Sequence, residues 1–265
     1  MNAIEKLNNR LSENKHICVG LDTDLNKIPK HLLGEDEPIL EFNKNVIAAT
    51  KEHAVAYKLN FAFYEALGSK GFDLIKKTLE YIPSNILTIA DAKRGDIGNT
   101  CLKYAEAVFD ELNFDAITLA PYMGIDSIEP FMNYKNKIHF VLGLTSNSSN
   151  IDFEKLKLSN GKYLYQEVIS KINSWNEYGN MGVVFGATNL EELSSNIELL
   201  KSLFVLLPGV GAQGGSLSEI HKIFRSNNLN NHIVNISRGI IYCDTSENYV
   251  SKIEQKMEQY QDELS

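Results

Sequence analysis

Eight short apolar runs alternate with longer amphipathic segments along the 265 residues of the chain, and this alternation most constrains its fold. The runs are mostly rich in Val, Ile and Leu and alternate little between apolar and polar residues, which is typical of parallel strands covered on both faces. The sequence therefore predicts eight strands, at 16–22, 55–61, 86–92, 115–121, 137–144, 181–187, 203–209 and 232–238.

The segments between these strands carry apolar residues at helical spacing. In EPILEFNKNVIAATKEH, for example, Ile39, Phe42 and Val46 fall on one face, whereas the fourth segment is short and interrupted by Pro130. Eight strand–helix units predict an α/β fold, a (β/α)8 TIM barrel, as a single domain spanning residues 1–265. A doubly wound open sheet is the alternative, but the first strand ends in VGLDTD, without the GxGxxG turn that usually opens that fold.

Composition argues against several classes of protein. The formal net charge of −8 and the lack of a basic run argue against a nucleic-acid partner. No run of 18 apolar residues is present and the N-terminus is polar, so we expect neither a membrane partner nor a signal peptide. The three cysteines are scattered and form no CxxC pair, which is typical of reduced thiols in the cytoplasm.

Charged and polar residues collect at the predicted carboxyl ends of the strands, where barrel enzymes have their active sites. Strand two carries Lys58 and Asn60, and strand three ends in Asp91 and Lys93. Because alternate residues of a strand share a face, each pair lies on one side of its strand. The second pair should continue the inward apolar row of strand three to the mouth of the barrel.

Further polar residues fall at the same end. Asp22 closes strand one, and Thr145 and Ser146 follow strand five. Asp96 and Thr100 are four residues apart at the start of the helix after strand three, so they lie on one side of it. Each residue alone has a structural explanation, such as an ion pair or a helix cap, but their coincidence at one end favours an active site.

The loops after strands seven and eight are where barrels frequently bind phosphate. The first loop, PGVGAQGGS, contains glycines that let backbone N–H groups approach an anion, and its Gln213 can reach both a phosphate and a base. Arg238 follows strand eight and offers a planar guanidinium suited to phosphate oxygens. We therefore expect a phosphate-bearing substrate.

The stretch DAKRGDIGNT, at 91–100, resembles the signature of the orotidine 5'-phosphate decarboxylase family. The stretches GLDTD, VAYKLNFAFYEALGSKG, GLTSNSS, VVFGAT, LLPGVGAQGG and NISRGI resemble its other blocks in the same order, from about residue 16 to 242. The KLNFAFY stretch and the GAQGG loop are most similar to the longer form of the family. One departure is Ser148-Ser149, where the long form usually has Pro-Gly, and it leaves the shape of the base-side loop open.

The resemblance implies a homodimeric enzyme of pyrimidine biosynthesis that decarboxylates orotidine 5'-phosphate to UMP and CO2, without a cofactor or a metal. It also implies a network of alternating lysines and aspartates, to which one subunit donates the start of a helix across the interface. The implied catalytic residues are Lys58, Asp91, Lys93 and Asp96, of which Asp96 serves the partner's site. The implied substrate-binding residues are Asp22, Asn60, Ile97, Thr100, Thr145, Ser146, Pro208, Gln213, Gly214, Arg238 and Gly239.

The implied reaction localises negative charge on C6 as CO2 departs, and the sequence shows neither a PLP lysine motif nor a metal-ligand cluster that could absorb it. We therefore expect Lys93 to stabilise the carbanion and then to protonate it. Two alternatives stay open. One is a metal-dependent sugar-phosphate aldolase or decarboxylase barrel, which needs a further carboxylate for Mg2+, and the other is a nucleotide-binding barrel without activity.

Overall fold

Eight parallel strands close into a barrel in the computed structural model of the chain, which describes residues 1–211 and 214–264. Each strand pairs with its neighbours in sequence, and the last pairs with the first. The predicted TIM barrel is therefore confirmed. The strands are β1 (Ile17–Gly20), β2 (Ala54–Asn60), β3 (Leu87–Arg94), β4 (Ala116–Leu119), β5 (Ile138–Leu144), β6 (Met181–Phe185), β7 (Phe204–Pro208) and β8 (His232–Ile236).

Helices follow the strands and cover the outside of the barrel. The fourth connection, where Pro130 interrupts the helical pattern, forms only a 3-10 turn and one short helix. Among the described residues, no helix is long and apolar enough to cross a membrane. The helices are α1 (Ala3–Ser12), α2 (Pro38–Thr50), α3 (Phe61–Glu65), α4 (Ser69–Glu80), α5 (Gly98–Glu106), α6 (Glu129–Met132), α7 (Leu164–Trp175), α8 (Leu190–Ser195), α9 (Ile197–Leu200), α10 (Leu217–Ser226), α11 (Arg238–Ile241) and α12 (Tyr249–Asp262).

The apolar core has two layers. Leu87 and Ile89 of β3 pack with residues of other strands, such as Cys18 and Phe140, in a fully buried cluster inside the barrel. A second cluster fills the space between the strands and the surrounding helices. Because Leu87 and Ile89 face the interior, the alternation of the strand places Asp91 in the same row, at the mouth of the barrel.

Helix α1 covers the amino-terminal end of the barrel and lies outside the predicted repeat of strands and helices. Asn2 and Glu5 form a capping box at its start. Lys6 Nζ lies 2.9 Å from both carboxylate oxygens of Asp115, and Leu7 packs into the inner apolar cluster. With this end closed, the charged residues lie at the opposite, carboxyl-terminal end.

Three buried histidines meet where β8 pairs with β1, at the amino-terminal end of the barrel. His16 Nδ1 lies 2.9 Å from the carbonyl oxygen of His232, whose Nε2 lies 3.0 Å from His221 Nδ1. Burial lowers the pKa of His16 to about 4 and also lowers the pKa values of His221 and His232. At neutral pH the folded protein therefore holds these rings uncharged.

The three rings are close enough for a shared metal ion, but their orientation does not suit one. Their ligand nitrogens lie within 4.8 Å of one another. However, the rings of His16 and His232 stack with centroids 4.0 Å apart and only 12° between their planes. A metal ion lies in the plane of each imidazole that binds it, and two stacked rings do not share such a position.

Acid should destabilise the fold through this histidine cluster. Histidines of the unfolded chain take up protons as the pH falls below about 6.5, whereas His16 in the folded protein does so only near pH 4. Each histidine whose pKa is lowered by folding therefore contributes its full share to the free energy of unfolding above about pH 6.5. This contribution is lost as the pH falls toward 4, by about 1.4 kcal/mol per pH unit for each such histidine. Urea unfolding followed by circular dichroism across this range measures the slope.

Two variants test whether the slope comes from the cluster. His16→Asn keeps a donor near the position of Nδ1 and removes the titrating ring. The free energy of unfolding should then fall less steeply with decreasing pH, by the contribution of one histidine. His31→Asn, at an exposed position, is the matched control and should keep the wild-type slope. A wild-type slope in His16→Asn would contradict the prediction.

Candidate active site

A network of lysines and aspartates lies at the carboxyl ends of β2 and β3. Lys58 is 4% exposed, and its Nζ lies 2.8 Å from Asp91 Oδ2 and 3.6 Å from Asp22 Oδ1. The other oxygen of Asp91, Oδ1, lies 2.5 Å from Lys93 Nζ. One carboxylate therefore lies between two ammonium groups.

The pKa values of this network follow from competition between burial and charge. Burial alone would lower the pKa of Lys58, but the carboxylates of Asp91 and Asp22 outweigh it and raise this pKa above its ordinary value. Burial would likewise raise the pKa of Asp91, but Lys58 and Lys93 hold it well below its usual range. Lys58 and Asp91 are therefore both ionised at neutral pH.

Thr118 of β4 supports the network, although it was not among the predicted site residues. Its Oγ1 donates to Asp91 Oδ1 at 2.9 Å and accepts the backbone N–H of Lys93 at 3.0 Å. Lys93 has a φ of +46°, and the pairing of β3 with β4 shifts register between Ala90 and Arg94. Thr118 thus stabilises the bend at Lys93. The sequence does mark Thr118 in one way, since it is the polar residue of an otherwise apolar strand.

A cavity of about 190 Å³ opens beside the network. Asn235 and Ser237 line it and were not predicted. Asn235 is 7% exposed, and its Oδ1 has no hydrogen-bond partner among the residues that the structure describes, so this oxygen is available to a donor on a ligand. The predicted site residues that line the cavity are Asp22, Lys58, Asn60, Asp91, Pro208 and Arg238.

Local hydrogen bonds fix the loops on one side of this cavity. Tyr242 Oη donates to the carbonyl oxygen of Asp22 at 3.1 Å and accepts the N–H of Asp24 at 2.6 Å. Asn60 Oδ1 accepts the N–H of Ala62 at 3.2 Å and so caps α3. The ends of β1 and β2 are therefore held in place at the mouth.

The predicted phosphate end lies around the start of α11. Arg238 is its first residue, is exposed, and lines the 190 Å³ cavity. Gly214 has a φ of +89°, which glycine adopts without strain. A Cβ at Gly239 would lie 2.8 Å from Tyr260 Oη, so glycine permits α12 to pack closely here. Gln213 lies outside the described residues.

The predicted base-side residues lie at the end of β5, but Thr145 and Ser146 do not line the 190 Å³ cavity. The N–H of Thr145 donates to Glu154 Oε2 at 2.6 Å, and its Oγ1 donates to Oε1 at 2.8 Å. The Ser-Ser pair that departs from the long form begins a 3-10 turn, Ser148–Asp152. Glu154, which was not singled out in the sequence, therefore anchors the loop 146–162 to the strand end.

Asp96, Ile97 and Thr100 lie around the start of α5 and do not reach the network of their own chain. Asp96 Oδ1 accepts the N–H of Ile97 at 2.8 Å, and no described residue forms an ion pair with Asp96. Ile97 is 58% exposed, and Thr100 is exposed as well. Of the four predicted catalytic residues, the chain thus brings Lys58, Asp91 and Lys93 together and leaves Asp96 apart.

Comparison with known proteins assigns the chain to a family. Residues 15–253 match the family described as "Orotidine 5'-phosphate decarboxylase / HUMPS family". The chain belongs to this family. The orotidine 5'-phosphate decarboxylase of Christiangramia forsetii is 47% identical over 258 residues, which cover 96% of this chain and 94% of that protein.

Solved structures of this family share the fold over the whole barrel. The orotidine 5'-phosphate (OMP) decarboxylase of Leishmania donovani has a TM-score of 0.83 and 33% identity, and the match covers 98% of this chain and 99% of that one. The UMP synthase of the same organism has a TM-score of 0.85 and 35% identity over 98% of this chain. That match covers 56% of the synthase chain, so this chain corresponds to only part of it.

Replacing Lys58 by Met should destabilise the fold, because Asp91 and Asp22 would lose their buried counter-ion. Removing one partner of a buried ion pair costs about 3–5 kcal/mol, and we expect about 3 kcal/mol at pH 7 since Lys93 stays beside Asp91. Urea unfolding measures the loss. Lys44→Met is the matched control, since it breaks a solvent-screened pair with Glu41 and should change the stability much less. Equal losses in the two variants would contradict the prediction.

Proposed function

We propose that the chain converts OMP to UMP and CO2 without a cofactor, with Lys93 stabilising negative charge on C6 and then protonating this carbon. The reaction follows from the family and its relatives: the chain is a carboxy-lyase of pyrimidine biosynthesis. The observation that carries the mechanism is the buried pair of Lys58 and Asp91, to which Lys93 is joined through the second oxygen of the same carboxylate.

The two lysines differ in exposure, and this difference supports their roles. The side chain of Lys58 is 5% exposed, whereas that of Lys93 is 50% exposed. Lys93 can therefore meet a substrate that enters the mouth, while Lys58 holds Asp91 from the buried side. Asp91 in turn orients the ammonium group of Lys93 and keeps a negative charge beside it.

The chemical step develops charge at a single carbon. As the bond between C6 and the carboxylate breaks, its electron pair stays on C6 and CO2 leaves. An ammonium group next to C6 stabilises this pair most strongly in the transition state, which is the condition for a faster chemical step. Lys93 then transfers a proton to C6, which gives UMP, and it regains a proton from water.

Asp91 has a second role through its own charge. Two like charges about 4 Å apart repel by about 4 kcal/mol at an effective dielectric constant of about 20. This repulsion would raise the energy of a bound substrate whose carboxylate lies near Asp91, and the departure of neutral CO2 would remove it. We assign the larger share of the rate to Lys93, because its attraction to C6 increases as the bond breaks.

The remaining contacts of the nucleotide are assigned to residues around the mouth. Asp22 and Asn60 serve the ribose side, and Pro208 forms an apolar wall; all three line the cavity beside Lys58 and Asp91. The pyrimidine is assigned to the strand end with Thr145 and Ser146. The phosphate is assigned to Gln213, Gly214, Arg238 and Gly239.

We further propose a homodimer in which Asp96, Ile97 and Thr100 of one chain complete the active site of the other. Asp96 contacts none of the network in its own chain, which supports this arrangement. Large apolar side chains are exposed after the neighbouring strands β3, β4 and β5, and an interface would bury them. These side chains are Ile97, Tyr122, Met123, Ile151 and Phe153.

The position of Lys58 favours this reaction over that of a metal-dependent barrel. Its Nζ lies 2.8 Å from Asp91 and 3.6 Å from Asp22, so the ammonium group occupies the space between the two carboxylates that Mg2+ would need. The charge of the network is thus supplied by the chain itself.

We also propose that residues 1–265 form one domain that works in the cytoplasm. Helix α1 packs on the amino-terminal end of the barrel, and α12 packs on α2, where Asn45 Nδ2 donates to Tyr249 Oη at 2.8 Å. The first and last helices therefore pack on the same barrel. Cys18 and Cys101 are buried free thiols, in keeping with a reducing compartment.

Lys93→Ala should lower kcat for OMP by at least about 1,000-fold, because it removes the charge that stabilises the transition state and the proton donor. Binding of UMP should persist, since UMP has no C6 charge to stabilise. A spectrophotometric assay in EDTA measures turnover, and calorimetry measures binding. Lys201→Ala, at an exposed surface pair, is the control and should keep wild-type turnover. Near-normal turnover in Lys93→Ala would refute the assignment.

The shared active site predicts complementation between two inactive variants. In a dimer of Lys93→Ala and Asp96→Ala chains, one site lacks both residues and the other has both. Random mixing should therefore restore about a quarter of the wild-type activity in a two-fold symmetric dimer. Heterodimers isolated with two affinity tags, each with one intact site of two, should show about half of the wild-type activity. Inactive heterodimers of verified composition would rule out a site built from two chains.

A further inference from the structure

A cavity of about 650 Å³ lies between α11, α12 and the loop after β7. Its lining includes three cations, Arg238, Lys252 and Lys256, together with Gly211 and Tyr260. No carboxylate is among the described residues that line it, although the chain has 34 acidic and 26 basic residues. The cavity is therefore a cationic pocket in an acidic protein, and such a pocket attracts anions.

Among the described residues, no carboxylate forms a salt bridge within 4.0 Å with Arg238, Lys252 or Lys256, although Asp244 interacts with Lys252 at longer range. Lys252 and Lys256 each donate to the amide oxygen of a glutamine three residues later, at 3.2 Å and 3.3 Å, and an amide leaves the charge uncompensated. Near Lys252, the carboxylate of Asp244 accepts the N–H and the Oγ of Ser246, at 2.7 Å and 2.5 Å. The lining of the pocket itself therefore stays positively charged.

Tyr260 fixes this pocket against the phosphate end of the active site. Its Oη would lie 2.8 Å from a Cβ at Gly239 and 3.4 Å from a Cβ at Gly211, so the two glycines let α12 approach both loops. The Nζ of Lys256 lies 5.0 Å from the centre of the Tyr260 ring, within the range of a cation–π contact. Lys256 therefore packs against Tyr260 in the wall of the pocket that Arg238 also lines.

Arg238 connects the two cavities, because it lines both this pocket and the 190 Å³ cavity that contains Lys58 and Asp91. We propose that the pocket is a second anion subsite, which takes the β- and γ-phosphates of a uridine nucleotide whose α-phosphate lies at Arg238. This inference rests on the proposed function, which places the phosphate of UMP there. UDP and UTP should then occupy the active site more tightly than UMP does.

The subsite adds contacts that OMP and UMP do not make. Both carry one phosphate, which Arg238 and the backbone around Gly239 would bind, so Lys252 and Lys256 contribute nothing to turnover. A nucleotide with further phosphates gains charge-assisted hydrogen bonds to these two lysines. The pocket would thus let nucleoside di- and triphosphates compete with the substrate.

Calorimetric titration with UMP, UDP and UTP, in EDTA and at low salt, tests the subsite. In the wild type we expect Kd for UTP to be about tenfold lower than Kd for UMP, with UDP between them. The double variant Lys252→Gln/Lys256→Gln should bind UMP and turn over OMP as the wild type does but lose the preference for UTP. Lys171→Gln/Lys222→Gln, at exposed lysines outside the pocket, changes the net charge equally and should keep the preference.

Two results would overturn the proposal. One is a wild type that binds UMP as tightly as UTP or more tightly. The other is a preference for UTP that survives in the Lys252→Gln/Lys256→Gln variant, because the extra phosphates would then bind elsewhere. Failure of the proposed function would be seen separately, as absent turnover of OMP by a wild type whose affinities for the three nucleotides are still measured.

Discussion

The buried carboxylate of Asp91 is the group on which the proposed active site depends. It binds Lys58 Nζ through one oxygen at 2.8 Å and Lys93 Nζ through the other at 2.5 Å. Alone, a carboxylate this buried would favour its neutral form, and so would the buried ammonium of Lys58. Together they stay ionised, so the site holds fixed charges where water is scarce. The buried pair in turn fixes the ammonium group of Lys93 at the mouth of the barrel, where the proposed mechanism needs a positive charge beside the developing anion.

The parallel barrel makes this pairing possible between residues distant in sequence. The register of β2 with β3 places Asn60 beside Asp91, and Lys58 two residues deeper. The bend at Lys93 then turns its side chain toward Asp91, although a φ of +46° costs a non-glycine residue of order 1–3 kcal/mol. The two hydrogen bonds of Thr118, one to each partner, offset this strain and select the geometry. Backbone strain and side-chain charge are therefore coupled at this position.

The parts that could be predicted from the sequence depend on local periodicity. The strand alternation correctly placed Asp91 in the row of Leu87 and Ile89, and the repeat of strands and helices predicted the barrel. Thr118 could not be found in this way, because its role arises from the pairing of β3 with β4. Glu154 was missed for a similar reason, since it reaches back nine residues to hold a strand end. The roles of the site residues still rest on the resemblance and on the proposals made from this geometry.

The two ends of the proposed site use charge in opposite ways, and the difference matches their tasks. At the reacting end, Lys58 is paired with Asp91 and Asp22, and Lys93 is paired with Asp91, so the proposed mechanism needs little reorganisation when charge develops on C6. At the proposed phosphate end, Arg238 lines a pocket that has no carboxylate among its described lining residues, which favours capture of an anion. A protein with a net charge of −8 would otherwise repel its anionic substrate. In the proposed mechanism, Arg238 therefore guides the phosphate into the site, while the paired charges act on the bond that breaks.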